Sequence, residues 1–120
     1  MAHFAYCKTN SHAVSDERLN NSETIHPCVL TIAGSDSGGN AGVQADLRTF
    51  HAHGLHGCTV FTALTAQNPN GVYAIHNVNA SFVSDQLDAV LGTYSISSLK
   101  TTALLSIKRN IMVMTIITWN

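Results

Sequence analysis

Six consecutive apolar or β-branched positions, 28–33 (CVLTIA), give way to Gly34-Ser35-Asp36-Ser37-Gly38-Gly39-Asn40-Ala41-Gly42, and then to a stretch with helical spacing. In that stretch Val43, Leu47 and Phe50 fall at i, i+4 and i+7, one face of a helix predicted over 42–53, while Asp46, Arg48 and Thr49 project elsewhere. Gly54 follows as a C′ residue that ends it. Residues 59–66 read as a second strand. Strand, crossover helix and strand within about 40 residues form a βαβ unit, so the two strands are predicted to be parallel neighbours.

The pattern continues in the same alternation. Gln67-Asn68-Pro69-Asn70-Gly71 is turn chemistry throughout, and residues 72–78 alternate well enough for a short strand at an edge or in a flap. Asn79 or Ser81 caps a helix running to Leu91, with Phe82, Gln86, Ala89 and Val90 at helical spacing and Gly92 as its stop. Residues 96–101 are predicted as a third core strand. Beyond Thr101 the density of Ile, Val and Thr favours strand over helix. Residues 1–26, rich in Asn, Ser and His, have no sustained period and are expected to be a disordered or loosely attached extension. The organisation expected is therefore that extension, an α/β body over 27–104, and a divergent tail over 105–120.

Composition narrows the partners. With 45% hydrophobic and 11% charged residues and a formal net charge of −1, the chain has no basic field to draw nucleic acid or an anionic membrane. Self-association through uncovered apolar surface is the expected liability of part of a doubly wound sheet. Three cysteines, Cys7, Cys28 and Cys58, without a C-x-x-C spacing, read as free thiols of a reducing cytosol. The most apolar run, 111–117, is far shorter than the ~20 residues that span a bilayer. A cytoplasmic location is expected.

The glycine loop carries the candidate chemistry. Side-chain-poor backbone between a strand and a helix allows positive φ and close approach, and is expected to present N–H groups to polar or anionic ligand atoms. No Lys follows these glycines as a Walker loop requires, and no glycine supplies the first position of a dinucleotide fingerprint. A G-x-S-x-G elbow is absent as well, which argues against a serine hydrolase. His51, His53 and His56 form H-x-H-x-x-H, but helical positions two apart differ by about 200°, so exposed helix-end histidines are expected rather than a metal site.

The segments TIAGSDSGGNAGVQADLRTF, GLHGCTVFTALTAQNPNGV and FVSDQLDAVL, in this order and spacing, resemble the N-terminal part of the hydroxymethylpyrimidine and phosphomethylpyrimidine kinases of the ribokinase-like superfamily. The resemblance covers about residues 28–91, with a weak continuation at 99–104. It implies an incomplete ribokinase-like three-layer α/β fold with a mostly parallel sheet flanked by helices. It also implies ATP-dependent phosphorylation of 4-amino-5-hydroxymethyl-2-methylpyrimidine and its monophosphate in thiamine biosynthesis, with ATP and Mg2+. By this resemblance Asp46 and Gln67 bind the aminopyrimidine, a carboxylate and a carboxamide matching its amino donor and ring-nitrogen acceptors. Gly34 and Thr65 line the ring, and Asp36 is a further candidate. Each carboxylate also has a purely structural reading: Asp46 suits the helix dipole, and Asp36 suits an Asx turn.

The sequence departs from the family pattern in three places. Asn40 stands where a third consecutive glycine is usual, a residue that tolerates left-handed φ. After Leu99-Lys100-Thr101 the family continues Gly-Met-Leu, whereas this chain has Thr102-Ala103-Leu104. The catalytic residue and the nucleotide site belong to the family's C-terminal half, and nothing after Leu104 resembles them, so little kinase activity is expected of these 120 residues alone. The alternatives are a pyridoxal or pyridoxine kinase-like protein and a non-catalytic pyrimidine-binding fragment.

Overall fold

The computed structural model describes residues 6–7, 25–103 and 113–117. In chain order the elements are β1 (Tyr6–Cys7), β2 (Ile25–His26), β3 (Cys28–Asp36), α1 (Gly42–Ala52), β4 (His56–Asn68), β5 (Gly71–Asn77), α2 (Ala80–Leu91), β6 (Ile96–Ala103) and β7 (Val113–Ile117). Most of the extension expected over 1–26, and most of the tail over 105–120, lies outside the described residues. Within them β1 and β2 pair in parallel, and β7 is the strand that composition favours.

Five strands form one sheet in the order β5-β4-β3-β6-β7. Strand β3 is central and runs parallel to both β4 and β6, whereas β5 and β7 join antiparallel at the edges. The two helices cover opposite faces. A Cβ on Gly57 would sit 2.6 Å from Leu47 and 3.0 Å from Phe50 of α1, while its neighbour Cys58 packs with Leu30 and Val60 in the cluster that receives Val83, Leu87 and Val90 of α2. Successive residues of a strand face opposite ways, so α1 and α2 must flank the sheet. Burying a side chain such as Leu30 or Val60 contributes about 1.5–3 kcal/mol, and these two have 2% and 0% exposure.

Strand β3 extends past the expected 28–33 because Ser35 and Asp36 still pair with Leu64 and Thr65, beyond a bulge between Ala33 and Ser35. The glycine loop proper therefore begins at Ser37. Helix α1 matches its expected span, and Gly54 takes φ +68 at its end. Asn79 caps α2 through a 2.9 Å bond from the Phe82 N–H to its side-chain oxygen. The inward stripe of α2 is rotated by one position from the expected one: Val83, Leu87 and Val90 face the core, and Phe82 is 57% exposed. Gln86 explains the offset, since its carboxamide pairs with both the N–H and the carbonyl of Phe61 at the margin of β4.

His51 and His53 are exposed as expected, whereas His56 opens β4 and stacks on Tyr94 with ring centroids 5.8 Å apart. The expectation of three free thiols is corrected. Cys58 is a free, buried thiol, but Cys28 is disulfide-bonded. An odd cysteine count leaves room for one bridge, and spacing without a C-x-x-C motif does not exclude it.

Candidate functional site

The loop after β3 is organised by one carboxylate. Asp36 is 4% exposed; its Oδ1 accepts from the Gly38 N–H at 2.8 Å, and its Oδ2 accepts from the N–H groups of Asn40 at 2.9 Å and Ala41 at 2.8 Å. The Gly39 N–H bonds to the Asp36 carbonyl at 3.0 Å. The N–H groups expected to face a ligand therefore end on Asp36. That placement gives Asp36 the Asx-turn role and also solves a problem for α1, whose N-cap residue Ala41 has no capping side chain.

Around this core the loop is tied down on every side. Gln44 accepts from the Asp36 N–H through Oε1 at 2.9 Å and donates from Nε2 to Ser35 Oγ at 2.7 Å. Arg48, one turn further along α1, donates to the Gly39 carbonyl. Gly42 has φ +57, and a Cβ there would overlap the Gly34 carbonyl oxygen, so glycine is required where the helix folds back over β3.

Burial pushes the Asp36 carboxyl up, but the N–H groups of Gly38, Ala41, Asn40 and Gly39 outweigh it and hold the pKa below the ordinary carboxylate value. A depressed folded-state pKa contributes stability above the unfolded value, and that contribution is lost as pH falls through the lowered one. The loop amides of residues 38–41 are accordingly expected to keep their native NMR shifts into the acid range where ordinary carboxylates are protonated. Asp36→Asn removes this acid-linked step and loosens the loop at neutral pH. An Asp36→Asn titration that superimposes on the wild type contradicts this role.

On the other side of the loop stands the tip of β4. Ser37 Oγ donates to the Gln67 carbonyl at 2.8 Å and accepts from the Gln67 N–H at 2.7 Å. Thr65 Oγ1 donates to the Ser35 carbonyl at 2.8 Å and lies 3.3 Å from Gln67 Oε1. Gly38 permits this closeness, because a Cβ there would lie 3.1 Å from the Gln67 carbonyl oxygen and 3.2 Å from the Asn68 Cα. Gly34, Asp36, Thr65 and Gln67 are thus brought together at the carboxyl ends of β3 and β4, with the Gln67 backbone held on both its polar atoms.

Asp46 is not part of that group. Though predicted to project away from the apolar face of α1, it is 8% exposed. Its Oδ2 accepts from Thr31 Oγ1 at 2.6 Å, and its Oδ1 is paired with Lys100 Nζ of β6. Thr31 lies five residues before Asp36, about 16 Å along a strand, and Asp36 is in register with Thr65. The carboxylate therefore sits beneath the rim on the α1 face of the sheet and does not meet Gln67. Lys100 and Thr31 are the residues that sequence reading passed over. Thr31 looks like an ordinary strand residue, and the 54 positions between Lys100 and Asp46 hide their pairing.

Among the described residues no group of three or more His, Cys, Asp or Glu is placed to hold a metal ion, and no helix is long and apolar enough to cross a membrane.

Comparison with known proteins adds to this geometry. The sequence model described as phosphomethylpyrimidine kinase matches residues 36–119. A hydroxymethylpyrimidine/phosphomethylpyrimidine kinase of Rhizobium meliloti is 55% identical over 71 residues, covering 59% of this chain and 27% of that protein. That of Escherichia coli is 51% identical over 71 residues, with the same two shares, 59% and 27%. A solved phosphomethylpyrimidine kinase from Clostridium difficile 630 superimposes with a TM-score of 0.64 at 45% identity, covering 67% of this chain and 35% of that one. A Bacillus subtilis pyridoxal kinase solved as an ADP complex gives 0.61 at 34% identity, covering 68% of this chain and 31% of that one. The chain spans 27% of the length of those two curated relatives.

Proposed function

The chain belongs to the phosphomethylpyrimidine kinase family and has part of its ribokinase-like α/β fold, and on that premise we propose that it carries the pyrimidine-binding part of a thiamine-pathway kinase. The substrate proposed is 4-amino-5-hydroxymethyl-2-methylpyrimidine or its monophosphate, with ATP as phosphoryl donor and Mg2+ as the accompanying ion. None of the described residues is assigned to the nucleotide.

The observation that supports the reading is Gln67 at the tip of β4, its backbone held on both polar atoms by Ser37 Oγ and its carboxamide oxygen 3.3 Å from Thr65 Oγ1. A carboxamide both donates and accepts, which matches an exocyclic amino group beside a ring nitrogen. Thr65 and Gly34 line the ring in this reading. Asp36 and Asp46 act as positioning residues: the first shapes the loop, and the second ties α1 to β3 and β6.

Isothermal titration of the full chain tests it. The pyrimidine is expected to bind in preference to pyridoxal, and Gln67→Ala to weaken it about tenfold, the value of one good hydrogen bond to a polar ligand edge. Preference for pyridoxal favours the second reading, which the 34% identical pyridoxal kinase neighbour supports. Pyrimidine binding without ATP binding identifies a non-catalytic binding unit. Absence of binding to either heterocycle overturns the proposal.

We further propose that copies of the chain associate through β5, an edge strand with Val72, Tyr73 and Ile75 at 53%, 67% and 42% exposure.

A further inference from the structure

Next to the last residue of strand β6 is a hydroxyl that none of the described residues uses. Thr102 Oγ1 is buried and makes no hydrogen bond, an uncommon state for a buried polar atom. Its direction follows from its neighbours. Leu99 packs into the cluster on the α2 face, and Lys100 reaches Asp46 of α1 on the other. Alternation along the strand then sends Thr101 to the α2 side and Thr102 to the α1 side, above Lys100. The last β3–β6 pair is Ile32–Thr101, so Thr102 runs beside Ala33, one residue short of Gly34.

That position has a topological meaning. From β3 the chain crosses by α1 to β4 on one side and later returns by α2 to β6 on the other, so the strand order reverses at β3. In open α/β sheets, ligands bind outside the carboxyl ends of the strands at such a reversal. Thr102 stands one residue before the end of β6, on the same face as the helix that opens from the glycine loop.

We infer that the Thr102 hydroxyl is a specificity-determining ligand contact, supplying a hydrogen bond to a polar atom of the heterocycle bound at the β3–β6 reversal. The inference rests on the pyrimidine-binding reading above. Among the described residues the hydroxyl has no partner, and a bound ring with donors and acceptors on its edge satisfies it. Thr62 Oγ1 is also buried and unpartnered, but β4 bulges against residues 33–35 there, so alternation does not assign its face.

Titration of the full chain with 4-amino-5-hydroxymethyl-2-methylpyrimidine, paired with a denaturant midpoint for each variant, tests this. Thr102→Val is expected to bind about tenfold more weakly while its midpoint is unchanged or raised, since the methyl replaces a hydroxyl with no partner in the free protein. Thr102→Ser is expected to stay within about threefold of wild type. Thr102→Ala removes the hydroxyl with less steric demand and gives the same tenfold loss should the valine variant fail to fold. Unchanged affinity in the valine or alanine variant, with the wild type binding, overturns the contact and leaves the pyrimidine reading standing. A lowered midpoint in the valine variant, with serine neutral, also overturns it, because the hydroxyl then has a partner in the free protein. A wild-type chain that does not bind the pyrimidine overturns both.

Discussion

Gly42→Ala is expected to destabilise the chain by about 3–5 kcal/mol, at the upper end of what single substitutions do. Two costs combine. Gly42 has φ +57, a left-handed conformation that costs an L-residue about 1–2 kcal/mol. The added Cβ would also overlap the Gly34 carbonyl oxygen, and it would lie 3.2 Å from the Gly34 carbonyl carbon and 3.3 Å from the Asp36 nitrogen. A Cβ has no rotamer by which to escape, and its neighbours are main-chain atoms of the central strand. Either α1 lifts off β3 or β3 shifts within the sheet. Gly39→Ala is the control: φ is +76 there, but the nearest atom to a Cβ is the Arg48 guanidinium at 3.6 Å, so only the conformational cost of about 1 kcal/mol applies. Denaturant midpoints of the two variants should differ in that order. A Gly42→Ala chain as stable as Gly39→Ala would mean that α1 does not pack on Gly34 as described.

The contrast between those two glycines shows what a sequence makes visible. Glycine density announces a loop, and the periodicity of Val43, Leu47 and Phe50 announces the helix after it, because both signals are local. Which glycine is pressed against a strand depends on the return path of α1. The same limit explains the rotated stripe of α2. The sets 82, 86, 89, 90 and 83, 87, 90 overlap at helical spacing, and Cys58 and Val60 of β4 choose between them by offering a surface to Val83 and Leu87. Of the candidate site, the local parts were legible: Asp36 bonding to N–H groups within five residues of itself, and Gln67 at the tip of a strand. Helical spacing points Asp46 outward because polar residues normally face water, and a lysine brought alongside by β6, with the Thr31 hydroxyl, makes its burial tolerable.

That lysine carries the second large effect. Lys100→Met is expected to cost about 3 kcal/mol, because it leaves the Asp46 carboxylate, with a side-chain exposure of 10%, paired only with the Thr31 hydroxyl. Asp46→Asn should cost less, roughly 1–2 kcal/mol. The Lys100 side chain is 19% exposed, and its long stem can turn the ammonium toward water. Removing both charges should recover much of the loss, since the Asp46→Asn, Lys100→Met chain buries no unpaired ion. The ordering is the test: lysine removal worst, aspartate removal intermediate, the double variant better than lysine removal alone. If Asp46→Asn is the worst of the three, the carboxylate has a task beyond holding α1 to β6. The ligand assay separates the two carboxylate roles weighed for this residue. Because the Asp46 carboxylate is bonded to Thr31 and Lys100 and not to Gln67, the folded double variant should lose less pyrimidine affinity than Gln67→Ala. A larger loss than Gln67→Ala would return Asp46 to the ring itself.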